Sequence, residues 1–204
     1  MPPRLKLALL VGCAGVAILL GAAALTAGSH TRSLQLVEGF AGAQTPASIP
    51  PQDFTLHDQD GKLVRLGSYR GEVVIVTFLY STCRDTCPLI AQQIRGALNQ
   101  LRTPVPALAV SVDPANDTPL NARRFLVKQS VDGRIRFLLG TRAQLAPVWR
   151  DYGVQPQTEL RAAPSDHTAY VVLVDRTGRQ RVGFPASELT PEALAHDIRR
   201  LQEP

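Results

Sequence analysis

Cys83 and Cys87 stand in TFLYSTCRDTCPLI, residues 77–90, separated by Arg84, Asp85 and Thr86. Cys13 is the only other cysteine. A thiol pair at this spacing can act as a disulfide switch, a grip for a soft metal ion or a peroxide-reactive site. A bridge across so short a loop removes little chain entropy, so a purely stabilising disulfide explains the pair poorly. The apolar run before the pair and the helical periodicity after it place both thiols at a helix start. Unpaired N–H groups and the helix dipole favour negative charge there and lower thiol pKa values. The pair is therefore expected to be thiolate-prone and partly exposed. Positions i and i+4 share a helical face, so two sulfurs can meet one ion or each other.

Among the histidines, His30, His57 and His196 suit surface or capping positions. His167, in APSDHTAY, stands just before a buried strand. That loop can reach the helix start bearing the cysteines, which makes His167 a candidate third ligand. Two thiolates and an imidazole suit copper, since thiolate softness selects Cu(I) and imidazole serves either oxidation state. Structural zinc normally takes four protein ligands, and only Asp113 or Asp166 offers itself as a fourth. Thr82-Cys83 matches no more than a fragment of a peroxiredoxin site.

The elements that position these residues follow from periodicity. DFTLHDQDGKLVRL reads as a hairpin, with Asp60-Gly61 supplying the positive backbone angles of its turn. EVVIVTFLY, residues 72–80, is an apolar β-branched run, the pattern of a strand buried on both faces. Ile90, Ile94, Ala97, Leu98 and Leu101 then mark one helical face. ALAVSVD (residues 107–113), RIRFLLG (134–140), TAYVVLVD (168–175) and QRVGFP (180–185) read as further strands. Helices are expected from Thr118-Pro119, from Thr141 and from Thr190-Pro191. Pro147 puts the first turn of the second of these in question. Strands alternating with helices predict an α/β domain with a central sheet covered on both faces. The cysteines fall at the carboxyl end of its first long strand, where such sheets hold ligands.

The N-terminus carries a different signal. Arg4 and Lys6 precede residues 7–27, which hold no charge. About 20 such residues span a bilayer. Positive charge on the short leading side predicts a single-pass anchor in the inner membrane, with the remaining chain facing the periplasm. Cleavage after the small residues near Ala22-Ala23-Ala24 is the alternative. LVGC, ending at Cys13, resembles a lipoprotein box, but the apolar run before it is short; a membrane-buried cysteine is the simpler reading. Residues 28–47 read as a flexible tether, and residues 48–204 as the exported domain. The net charge of +5 comes from scattered arginines, with lysine only at positions 6, 62 and 128. Without a basic helix or an RNA-binding aromatic signature, nucleic acid is not an expected partner. The charge suits an acidic protein or an anionic membrane.

FLYSTCRDTCP, SVDPANDTP and DHTAYVVLVDRTGR together resemble the three signature segments of the Sco/SenC family, in the same order, over about residues 48–203. The resemblance implies a membrane-tethered, thioredoxin-like domain with a central mixed sheet flanked by helices and an N-terminal hairpin extension. It implies copper held by Cys83, Cys87 and His167. It also implies delivery to the binuclear copper centre of cytochrome c oxidase subunit II, or reduction of that centre's cysteines. Other copper chaperones or thioredoxin-like reductases are further partners in this reading. Two departures sit beside the site: Arg84 where the family usually has proline, and Ser165 where an aromatic residue is common. The alternative function is a periplasmic thiol-disulfide oxidoreductase using Cys83 and Cys87 as a redox-active dithiol. The three-residue spacing argues against it, since dedicated reductases use two.

Overall fold

A run of β-branched and aromatic residues organises the domain. In the computed structural model, which describes residues 39–156 and 169–203, VIVTFL forms β4 (Val74–Leu79), buried at every position. The described residues belong to one compact unit, Val37–Pro204. β4 pairs parallel with β5 (Ala107–Ser111), and β5 parallel with β6 (Arg136–Leu139). On its other side β4 pairs antiparallel with β7 (Tyr170–Val174), which forms a hairpin with β8 (Gln180–Pro185). β2 (Thr55–Asp58) pairs antiparallel with both β6 and β3 (Leu63–Arg65). β1 (Ala43–Gln44) closes the far edge against β8. The eight-stranded mixed sheet therefore runs β1-β8-β7-β4-β5-β6-β2-β3.

Side chains along a strand alternate between faces, and the core divides accordingly. Ile75 and Leu79 face a cluster made with α1 (Thr86–Asn99), α2 (Pro119–Lys128) and α4 (Pro191–Gln202), including Ile90, Ile94, Phe125, Leu126, Leu194 and Ile198. Val74, Val76 and Phe78 face α3 (Arg142–Asp151) through Leu145, Val148 and Trp149. The early hairpin contributes Leu56 and Val64 to this second layer.

Several local expectations meet their structures directly. Thr118, Thr141 and Thr190 cap α2, α3 and α4, each hydroxyl accepting a backbone N–H, with proline opening α2 and α4. The β2–β3 turn needs a positive angle only at Gly61, with φ of 76°; Asp60 instead donates its backbone N–H to the Asp58 carboxylate. Pro147 does not disrupt α3. A full capping box between Thr141 and Gln144, and the burial of Leu145, Val148 and Trp149, offset its missing hydrogen bond. The sheet also recruits Ala43 and Gln44 from the segment expected to be tether. Backbone pairing makes that possible where side-chain periodicity is silent.

The expected anchor at residues 1–27, with Cys13, and His30 in the tether lie outside the described residues. No helix among the described residues is long and apolar enough to cross a membrane.

Candidate thiol metal centre

The site begins where β4 runs out. Cys83 N–H returns to the Tyr80 carbonyl at 3.2 Å, turning the chain. Asp85 then caps α1, its carboxylate accepting the Thr86 N–H at 2.6 Å. Pro88 occupies the third helical position, where an N–H would have no intrahelical partner. Cys87 lies in that first turn, and its backbone N–H donates to the Cys83 sulfur at 3.2 Å. Cys83 thus acts as a second acceptor for the open end of α1.

This geometry separates the two thiols chemically. The Cys83 pKa is pulled down to about 6, first by a hydrogen bond from the Cys87 thiol. Backbone N–H groups of Cys87 and Asp85 and the Tyr80 hydroxyl add to it, while burial opposes it. Cys87 shifts strongly upward, because its proton serves Cys83, because it is buried, and because a Cys83 thiolate stands beside it. At neutral pH the pair holds one thiolate and one thiol. The Asp85 carboxylate lies 3.4 Å from the Cys83 sulfur. Accepting the Thr86 N–H is the main reason that its own pKa falls.

Both cysteines are free thiols. The expectation of partial exposure is corrected, since Cys83 is 8% and Cys87 5% exposed. Both join the apolar layer containing Ile90 and Leu79: Cys87 lies on the inward face of α1, and the turn before the helix folds Cys83 against it.

A second loop supports the first. Asp117 is buried between β5 and α2; it accepts the Ser81 N–H at 2.7 Å and the Ser111 hydroxyl at 2.5 Å. Burial raises its pKa, and its charge also helps to keep Cys87 protonated. Trp149, packed on the α3 side of the sheet, donates to the Ser111 carbonyl at 2.8 Å. Asp117 and Tyr80 are the site residues that sequence reasoning passed over. Both lie inside the quoted signature segments, and that was the only available signal.

Asp113, considered as a fourth ligand, accepts from the Asn116 amide at 2.8 Å, and its carbonyl accepts the Asn116 and Asp117 N–H groups. Its place is in the turn. His57 is exposed on β2, one strand in from the β3 edge of the sheet. His196, expected on a solvated face, is half-buried, with Nδ1 2.8 Å from the Asp197 carboxylate. His167 and Asp166 lie outside the described residues. Among the described residues no three His, Cys, Asp or Glu side chains gather into a metal site. The strand after His167 begins at Tyr170, whose carbonyl accepts the Thr77 hydroxyl at 3.0 Å. Thr77 pairs with Val171, so β7 starts at the end of the sheet where β4 delivers the cysteines.

Comparison with known proteins bears on this arrangement. The SCO1/SenC family model matches residues 42–203. The mitochondrial SCO2 homolog of Bos taurus is 29% identical over 141 residues, covering 65% of this chain and 52% of that protein. The chain spans about half the length of the curated relatives it matches. Bradyrhizobium japonicum ScoI, solved with copper bound, superposes with a TM-score of 0.57 at 32% identity, over 74% of this chain and 98% of that one. Apo Sco1 from Thermus thermophilus shares the fold, with a TM-score of 0.67 at 24% identity over 81% of this chain and 99% of the other. With a mixed sheet between helices, a thiol pair where β4 meets α1 and a family match over most of its length, this chain belongs to the SCO1/SenC family.

Proposed function

We propose that the chain is a membrane-tethered copper metallochaperone. It takes copper on Cys83, Cys87 and His167 and passes it to the binuclear copper centre of cytochrome c oxidase subunit II, or reduces that centre's cysteines. The observation carrying this reading is the pairing of one stabilised thiolate with one thiol at the carboxyl end of β4, the end where β7 begins. Soft donors held there suit Cu(I), and Cys87 gives up its proton on binding. Two residues separate His167 from Tyr170, and an extended chain spans about 3.3–3.6 Å per residue. That reach starts from the end of the sheet where β4 delivers the cysteines, which supports His167 as the third ligand. Copper bound in ScoI, and the family's involvement in copper handling, support the same reading. The uncharged run at residues 7–27 supports an inner-membrane tether with the domain in the periplasm.

Anaerobic Cu(I) titration of the reduced chain tests it. Wild type binds one equivalent tightly, and His167→Ala loses affinity sharply. Copper then moves to an apo copper domain of subunit II. Undiminished affinity in His167→Ala rejects the three-ligand site.

The unequal thiols also favour a second reading, a thiol-disulfide reductase with Cys83 as nucleophile. Rapid insulin reduction independent of His167 would select it.

A further inference from the structure

Arg84 stands between the two cysteines, where the resemblance leads one to expect proline, and it is exposed. Asp85, its neighbour, is engaged by the start of α1, and Arg84 itself has no hydrogen bond or ion pair among the described residues. A solvated cation therefore sits on the thiol loop. Large apolar side chains are exposed on the two helices that follow the site loops. Leu89 in the first turn of α1 is 48% exposed, and Leu120 at the start of α2 is 56% exposed. These are two of the four large hydrophobic side chains exposed among the described residues. Both stand at the same end of the sheet. β4 and β5 run parallel, so α1 and α2 start at the same end, and both helices cover the same face of the sheet. The Gln92 amide donates to the Gln129 carbonyl at 2.8 Å, tying α1 to the C-terminal end of α2, and Ser81 to Asp117 joins the loops that precede the two helices. Along α2 the exposed Leu120, Arg124 and Val127 recur at i, i+4 and i+7, an outward stripe whose arginine has no partner among the described residues.

An apolar patch rimmed by charge is the anatomy of a protein interface. Arg84, Arg124 and Lys128 outnumber Asp85 among its exposed charges and favour an acidic partner, and the buried thiols of the loop require that the partner come close. We propose that the thiol loop of Arg84 and the exposed starts of α1 and α2 form a docking face for a copper-accepting protein domain with an acidic rim. This rests on the metallochaperone reading. Arg84 and Arg124 steer the encounter, and Leu89 and Leu120 are covered in the docked complex.

The test uses the full-length chain in detergent micelles, loaded with one equivalent of Cu(I), and the apo copper domain of oxidase subunit II from the same organism. Transfer rates are measured at low and high salt for wild type, Arg84→Glu, Arg124→Glu and Leu120→Ser. The arginine variants slow transfer by about tenfold at low salt, and the difference shrinks at high salt as screening removes steering. Leu120→Ser slows it by a factor that salt does not change. Failure of wild type to transfer at all rejects the metallochaperone reading and the docking face with it. Normal transfer in all three variants overturns the docking face alone. So does a loss confined to self-association or to binding of phosphatidylglycerol vesicles, which would assign the face to a second copy or a lipid surface.

Discussion

Asp117 holds the backbone N–H of Ser81 at 2.7 Å, so a carboxylate that follows β5 fixes the loop by which β4 reaches the cysteines. The two loops are far apart in the chain, and this bond makes them one site. Asp117→Ala leaves that N–H and the Ser111 hydroxyl without their partner. It is expected to cost about 1–3 kcal/mol of stability. Copper affinity should fall by about 10–100-fold, the usual effect of removing support behind a ligand. Urea denaturation and Cu(I) competition titration measure the two effects.

The same carboxylate imposes a pH dependence. Its pKa in the folded state is raised by burial, so the folded protein keeps this proton at pH values where the unfolded chain has lost it. As pH rises from the ordinary carboxylate range through the raised value, this residue removes stability. Asp117→Asn cannot ionise. The stability of wild type relative to Asp117→Asn should therefore decline across that interval, and a flat difference in denaturation midpoints would contradict the assignment.

Cys83 is expected to titrate near pH 6, well below an ordinary thiol. Thiolate absorbance and iodoacetamide labelling should rise through that pH and level off above it, with Cys87 unlabelled under the same conditions. In Cys87→Ala the main stabilising hydrogen bond is gone, and the Cys83 transition should move upward. An unmoved transition would assign the low pKa to the helix start alone.

Asp197 on α4 is fully buried and accepts the backbone N–H groups of Ala41 at 2.8 Å and Gly42 at 2.9 Å. Gly42 lies so close to the sheet that a Cβ would come within 2.6 Å of Val182. The Arg200 guanidinium lies 5.6 Å from the centre of the Phe40 ring, beside the same segment. Asp197→Ala removes both acceptors and should destabilise the domain by about 3 kcal/mol, with a smaller loss in Asp197→Asn. Hydrogen exchange at Ala41 and Gly42 should accelerate in step.

Pro147 interrupts the hydrogen-bond ladder of α3. Pro147→Ala restores an N–H to the interior of the helix and is expected to stabilise the protein by about 1–2 kcal/mol. Thermal denaturation would detect it, and a lower midpoint would mean that the ring contributes packing that outweighs the missing bond.

Much of this organisation was legible in the linear chain because it is local. Apolar runs and helical periodicity depend on near neighbours, so β4, α1 and the capped starts of α2, α3 and α4 could be read directly. The Cys83–Cys87 pair advertised itself by residue type and by its place between strand and helix. Other features depend on partners distant in sequence. Ala43 and Gln44 become a strand only because β8 offers an edge. Asp117 looks like any turn aspartate until Ser81 is brought to it. The burial of both cysteines, and the division of one low and one high pKa between them, come from desolvation and from hydrogen bonds whose geometry the folded loop alone decides. Residue chemistry determined which atoms could meet a soft metal ion; the packed sheet decided which sulfur carries the charge and which residues hold it in place.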